Sequence, residues 1–280
     1  AVWAQALDGA LVGNANNANF LPTYDGAPGR MQMYVWNGPN PDREGSLDAQ
    51  IVVHELTHGL SWRLHLPQGG LGSMQSDGMG EGWSDFFSLA LLACEDDALD
   101  GVYPTGPYVT YLASTGFTSN YYFGIRRYPY SANLQRNPLT LNDIDPSQID
   151  LPLPSEVPFS PRFSYPPTNA NQVHRLGEIW CSALWECRTA LIRKHGFAGN
   201  DLAMRLVVDG MKLSPGDPTF LEARDAILQA DLAASQGENL CELWTAFAKR
   251  GFGAAASVPS NTATTSGAVQ DFSLPFEACA

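Results

Sequence analysis

The segment His54-Glu55-Leu56-Thr57-His58 lies within the apolar stretch that begins Ile51-Val52-Val53, and no other short run in the chain carries as much chemistry. Two imidazoles four residues apart on a helix face the same way, with Cβ atoms about 5–6 Å apart. They can share one tetrahedral Zn²⁺, while Glu55, one residue along, reaches a water at the open position. Two histidines at this spacing also occur as ordinary helix residues, so the segments downstream decide the reading.

A centre of this kind needs a third protein ligand. His65 is one residue out of register with the pattern that uses a third histidine: Ser61 stands at its glycine and Leu64 at its histidine. His65 is therefore expected to be an ordinary surface or loop histidine. The better candidate lies in Gly78-Met79-Gly80-Glu81-Gly82-Trp83-Ser84-Asp85. Pro67 and Gly69-Gly70-Leu71-Gly72 end the first helix, and the apolar pattern after Gly82 begins a second. That helix brings Glu81 to the metal. Asp85, four residues on and on the same face, accepts the second N–H of a ligating histidine and fixes its tautomer. Singly these are unremarkable helix carboxylates; following the histidine run, they make a zinc site the expectation.

At these residues, His54 to Ser61 and Gly78 to Asp85, the chain resembles the fungalysin family of secreted zinc metallopeptidases, relatives of thermolysin within the Glu-zincins. Asn16-Asn17-Ala18-Asn19-Phe20, Pro28 to Trp36, Gly124 to Ser131 and Glu242 to Gly251 carry the likeness over most of the chain. It is weak between residues 145 and 168. The resemblance implies an α+β, thermolysin-like zincin with a strand-bearing N-terminal part, a mainly helical C-terminal lobe and the zinc cleft between them. It implies a secreted, extracellular endopeptidase made as a zymogen. Such a catalytic domain has a strand-rich segment before the position of Asn16, so an N-terminal segment or propeptide of the same precursor is an expected partner. That segment is either absent or bound as a separate polypeptide.

The ligand set His54, His58 and Glu81 leaves one position for water, with Glu55 as general base and then proton donor to the leaving amine. A second donor to the developing oxyanion is expected. The resemblance assigns this to His174 in Asn171-Gln172-Val173-His174-Arg175, but the family's acid five residues earlier is replaced by Asn169. Asn17 and Ala18 resemble the edge segment that pairs with peptide backbone, or else belong to an ordinary turn-rich Asn stretch. Arg126, Arg127, Tyr128 and Tyr130 either contact substrate or form a packed loop with cation–π contacts. The alternative to catalysis is an inactive zinc-bearing peptide-binding relative, or a fragment needing a separate N-terminal segment. Glu55 speaks against a purely structural zinc, whose coordination is closed and needs no neighbouring base.

Composition narrows the partners. A net charge of −13 with no Lys/Arg cluster argues against nucleic acid and anionic membrane surfaces. With 44% hydrophobic and 16% charged residues the chain folds, and it lacks the run of about 18 apolar residues that a membrane span needs. Neither Asp143-Ile144-Asp145 nor Glu95-Asp96-Asp97 matches a calcium loop, so calcium is not indicated. Of five cysteines, Cys181 and Cys187 point apart on one helix; if a disulfide forms, Cys241 with Cys279 ties down the C-terminus.

One catalytic unit is expected in three stretches: edge strands and zinc-binding helices over 1–95, long ordered loops over 96–170, and a helical lobe over 171–280. Met31 to Trp36 alternates as a strand. Val173, Leu176, Ile179, Trp180, Leu184 and Leu191 recur at helical spacing, with His174 in the first turn. Thr219 with Glu222, and Asn239 with Glu242, read as capping boxes, and a short strand is expected around Phe272.

Overall fold

Gly29, Met31 and Met33 are buried while the alternate residues Arg30 and Gln32 are half-exposed, so β3 (Gly29–Met33) turns one face to the protein interior, as its alternating sequence requires. A computed structural model describes residues 1–65, 67, 69–110, 120–148, 157–161, 163 and 172–279. β3 is the middle of a three-stranded sheet, parallel to β1 (Val2–Gln5) and antiparallel to β2 (Ala18–Leu21). The single strand expected through Trp36 is broken at Tyr34. Val35–Trp36 forms β4 and pairs instead with β5 (Arg43–Glu44).

Helices then take over, and the architecture is α+β. The inner face of the sheet, Ala18, Met31, Met33 and Trp36, packs with Ile51 of α1 (Ala49–His65) in a small core. α1 carries the histidine run. α2 (Met74–Ala90) begins well before Gly82, where the apolar pattern placed its start. The reason is polar: Ser73 and Ser76 form a capping box, and Asp217, far along the chain, accepts from Ser73 N (2.8 Å), Ser73 Oγ and Ser76 Oγ. Partial burial would raise the Asp217 carboxyl, but the hydrogen bonds from Ser73, Ser76 and Thr262 hold it down at about 2. Glu81 thus stands mid-helix.

The main core surrounds α4 (Val173–His195), whose expected stripe is buried from Leu176 to Leu191. α3 (Asn120–Phe123) is a single turn within the loop region. Trp180 is the hub, with ring centroids 5.9–6.2 Å from Phe252, Trp83, Phe220 and Phe247. α4 crosses α2 where two glycines meet. A Cβ on Gly177 would lie 2.5 Å from Cβ of Glu81, and one on Gly82 would lie 2.7 Å from the Gly177 carbonyl oxygen. α5 (Ala198–Leu213), α6 (Phe220–Ser235) and α7 (Leu240–Lys249) complete the lobe.

The Thr219–Glu222 capping box forms as read. Asn239 does not cap α7 with its side chain; that amide is buried and donates to Asp231 at 2.7 Å while accepting from half-buried His195. Around Phe272, itself exposed, there is no strand, only isolated bridges from Phe252 to Asp271 and Ser257 to Val269. Cys241 and Cys279 are joined, and Cys94, Cys181 and Cys187 are free.

The Cys241–Cys279 link spans 38 residues. Replacing both cysteines by serine is expected to cost about 4 kcal/mol by loop entropy, lowering the unfolding midpoint by roughly 10 °C. Calorimetry of the double variant checks this; an unchanged midpoint would show that the tail adds no stability.

Candidate metal centre

α1 and α2 pack side by side and bring three ligand atoms together. His54 Nε2 lies 3.1 Å from His58 Nε2 and 3.3 Å from Glu81 Oε2, and His58 Nε2 lies 3.5 Å from Glu81 Oε1. Tetrahedral bonds of about 2.0–2.1 Å place their ligand atoms about 3.3 Å apart, so the observed spacings suit a zinc ion at the centre. Among the described residues, these three form the one group of His, Cys, Asp and Glu ligand atoms arranged to hold a metal.

The hydrogen bonds point to the same occupant. His54 Nδ1–H donates to Asp85 Oδ1 at 2.8 Å, which leaves Nε2 with a lone pair turned on His58. Glu81 Oε2 is buried with no hydrogen-bond partner. Two facing lone pairs and an unsatisfied carboxylate oxygen repel one another unless a cation sits between them. With only protons to share, the histidines divide unequally. Burial lowers both, but Asp85 and Glu81 hold His54 up at about 10, while His58 falls to about 4. Burial pushes against ionised Glu81 as well, yet His58 and His54 hold its carboxyl well below the usual range.

Asp85 is fully buried and its oxygens are saturated. Besides His54, it accepts from Arg126 Nε at 2.6 Å, from Arg126 Nη2 at 2.8 Å and from the Tyr130 hydroxyl. Burial opposes its charge, but Arg126 and His54 keep the carboxyl well below the ordinary carboxylate range.

The other sequence candidates fall into two groups. Asn17, Ala18, Glu55, Arg126 and His174 line one cleft of about 710 Å³ with the three ligands. β2 is an edge strand of its sheet and forms one wall of this cleft. Glu55 is buried, which pushes its carboxyl up to about 7 against the pull of His54. His174 Nε2 stands 3.5 Å from Glu81 Oε2 on a half-exposed ring. Arg127 and Tyr128 do not reach the cleft. The Arg127 guanidinium binds Glu178 Oε2 at 2.6 Å and the Arg175 carbonyl at 3.0 Å, and Tyr128 packs edge-on against Phe159. Tyr130 is spent on Asp85. Asn169 and Asn171 lie outside the described residues.

His65 is neither on the surface nor in a loop. It is fully buried at the end of α1, where Nδ1–H donates to the Ser61 carbonyl and Nε2 pairs with Ser214 Oγ, each at 2.8 Å, with the ring stacked on Trp83. Burial lowers its pKa. The apolar run of α1 continues into the core here, so the helix end is covered. Sequence reading passed over Trp36, Ile51, Trp62, Ile125 and Gln172, which also line the cleft; only folding assembles them.

Two histidines one helical turn apart, a glutamate from the next helix and a free carboxylate beside them form an arrangement that could hold one metal ion. Residues 1–256 match the Fungalysin metallopeptidase (M36) family, and the chain belongs to that family. It is 42% identical over 279 residues to the Extracellular metalloproteinase mep of Aspergillus fumigatus, covering 92% of this chain and 38% of that protein. It is 40% identical over 285 residues to Extracellular metalloproteinase 10 of Coccidioides posadasii, covering 95% and 39%. It is likewise 40% identical over 285 residues to Extracellular metalloproteinase 5 of Trichophyton rubrum, covering 96% and 40%. The chain thus spans about two-fifths of the length of these relatives.

Asp85→Asn keeps the shape of the side chain but removes the charge that orients His54. Competition with a chelator is expected to show metal affinity reduced about 10- to 100-fold. Gly177→Ala forces α2 and α4 apart at Glu81, at a cost of about 1–3 kcal/mol, and lowers metal content in the folded protein. Full zinc occupancy in Gly177→Ala would show that Glu81 is not held by the helix crossing.

Proposed function

We propose that the chain is the zinc-bearing catalytic unit of an endopeptidase that hydrolyses internal peptide bonds. The observation that carries this is the set of ligand-atom spacings at His54, His58 and Glu81, together with a buried carboxylate, Glu55, that is not a ligand. A zinc ion held there supplies Lewis acidity, lowering the pKa of water toward 7 and polarising a carbonyl.

The remaining roles belong to the chain. Glu55 accepts a proton from the attacking water and passes it to the leaving amine; a carboxyl pushed up to about 7 is suited to both directions of transfer near neutrality. His174 donates to the oxyanion from the first turn of α4, which lines the same cleft. Asn17 and Ala18 meet an extended peptide along the free edge of β2. Arg126 supports the site through Asp85 rather than by gripping substrate, and the cleft offers no evident role for Arg127 or Tyr128.

A secreted, extracellular setting fits the names of the relatives and the Cys241–Cys279 disulfide. Among the described residues no helix is long and apolar enough to cross a membrane. The relatives' greater length supports an N-terminal segment or propeptide as partner.

Hydrolysis of a generic protein substrate, with and without a zinc chelator, tests the reading. Cleavage is expected to vanish with chelator and return with zinc. Glu55→Gln is expected to retain one zinc by elemental analysis and lose at least about 10³-fold in turnover. A zinc-loaded chain that cleaves nothing, or a Glu55→Gln variant of near-normal rate, overturns it.

A further inference from the structure

We propose that Gln172 sets the tautomer of His174, so that His174 meets the developing oxyanion as a neutral Nε2–H donor. This rests on the peptidase reading, with His174 facing the reacting carbonyl.

Gln172 is the N-cap of α4, and its Oε1 accepts from the Arg175 backbone N–H at 3.0 Å. A helix N-terminus presents only donors, so the oxygen of the amide must face the helix; the reverse orientation would set NH₂ against N–H. The same amide's Nε2 is then committed to its other neighbour, His174 Nδ1, at 2.5 Å. An NH₂ group has no acceptor to offer, so Nδ1 must carry the lone pair. A neutral imidazole with a bare Nδ1 carries its proton on Nε2. Nε2 is the atom turned toward the metal centre, 3.5 Å from Glu81 Oε2.

An imidazolium is disfavoured here twice over. Its Nδ1–H would oppose the Gln172 NH₂, and a positive charge in the first turn of α4 opposes the helix dipole. Gln172 is therefore a positioning residue with two obligations on one amide: the cap fixes its orientation, and its orientation fixes the histidine. The acid that the family pattern places before this histidine would demand the opposite, a proton on Nδ1.

Long-range ¹H–¹⁵N correlation on zinc-loaded protein labelled at histidine reads the proton directly, with the His174 signals identified by their loss in His174→Asn. At neutral pH the wild type is expected to show a protonated Nε2 and a bare Nδ1. Gln172→Glu keeps the cap acceptor but replaces the donor with an acceptor, so Nδ1 is expected to gain a proton while the melting temperature holds. Gln172→Met offers neither group and is expected to lose about tenfold in kcat with KM within about twofold. A protonated Nδ1 in the wild type, or no change of proton position in Gln172→Glu, overturns the proposal. The proton position does not depend on turnover, so failure of the peptidase reading, seen as an inert wild type, is separable from failure of this one.

Discussion

One buried carboxylate holds the metal centre in register. Asp85 has no contact with solvent, and a charge in such a position costs several kcal/mol unless it is paired and fully hydrogen-bonded. Here it is bonded to His54 of α1 and to Arg126 and Tyr130 of the segment that follows Gly124. Two other parts of the chain are thereby fixed to one point on α2. Glu81 lies one turn earlier on the same face, so whatever locates Asp85 against His54 also locates the third ligand against the first two. The glycine contact between α2 and α4 lets the two helices approach closely beside Glu81.

The centre was legible in the sequence to an unusual degree, because its chemistry is local in the chain. His54, Glu55 and His58 share one helix, and Glu81 and Asp85 share the next, so helical spacing alone puts each set on a common face. The long helix beginning at Val173 and the capping box at Thr219 were readable for the same reason. What failed was long-range. The start of α2 depends on Asp217, and nothing near Met74 announces it. His65 looked peripheral because the sequence does not show Ser214 and Trp83 closing over it.

The Arg126-Arg127-Tyr128 run shows the limit most sharply. Three adjacent polar or amphipathic residues looked interchangeable as substrate contacts, yet each turns to a different place: Arg126 to Asp85 at the cleft, Arg127 to Glu178, Tyr128 to the aromatic core. Their directions follow from which buried acids and rings the fold has put within reach. Gln172 illustrates the converse, a residue the sequence did not single out that caps α4 with its amide oxygen and bonds His174 with its amide nitrogen.

The tie between Asp217 and the start of α2 also bears on when the centre comes into being. A chain leaves the ribosome from its N-terminus, so the histidine helix emerges first and Asp217 follows 144 residues after Ser73. α4, which braces Glu81, likewise arrives after both ligand helices. Arg126 and Tyr130, which enclose Asp85, also follow both ligand helices in the chain. The supports of the centre are therefore complete only when segments far along the chain have folded back onto α1 and α2.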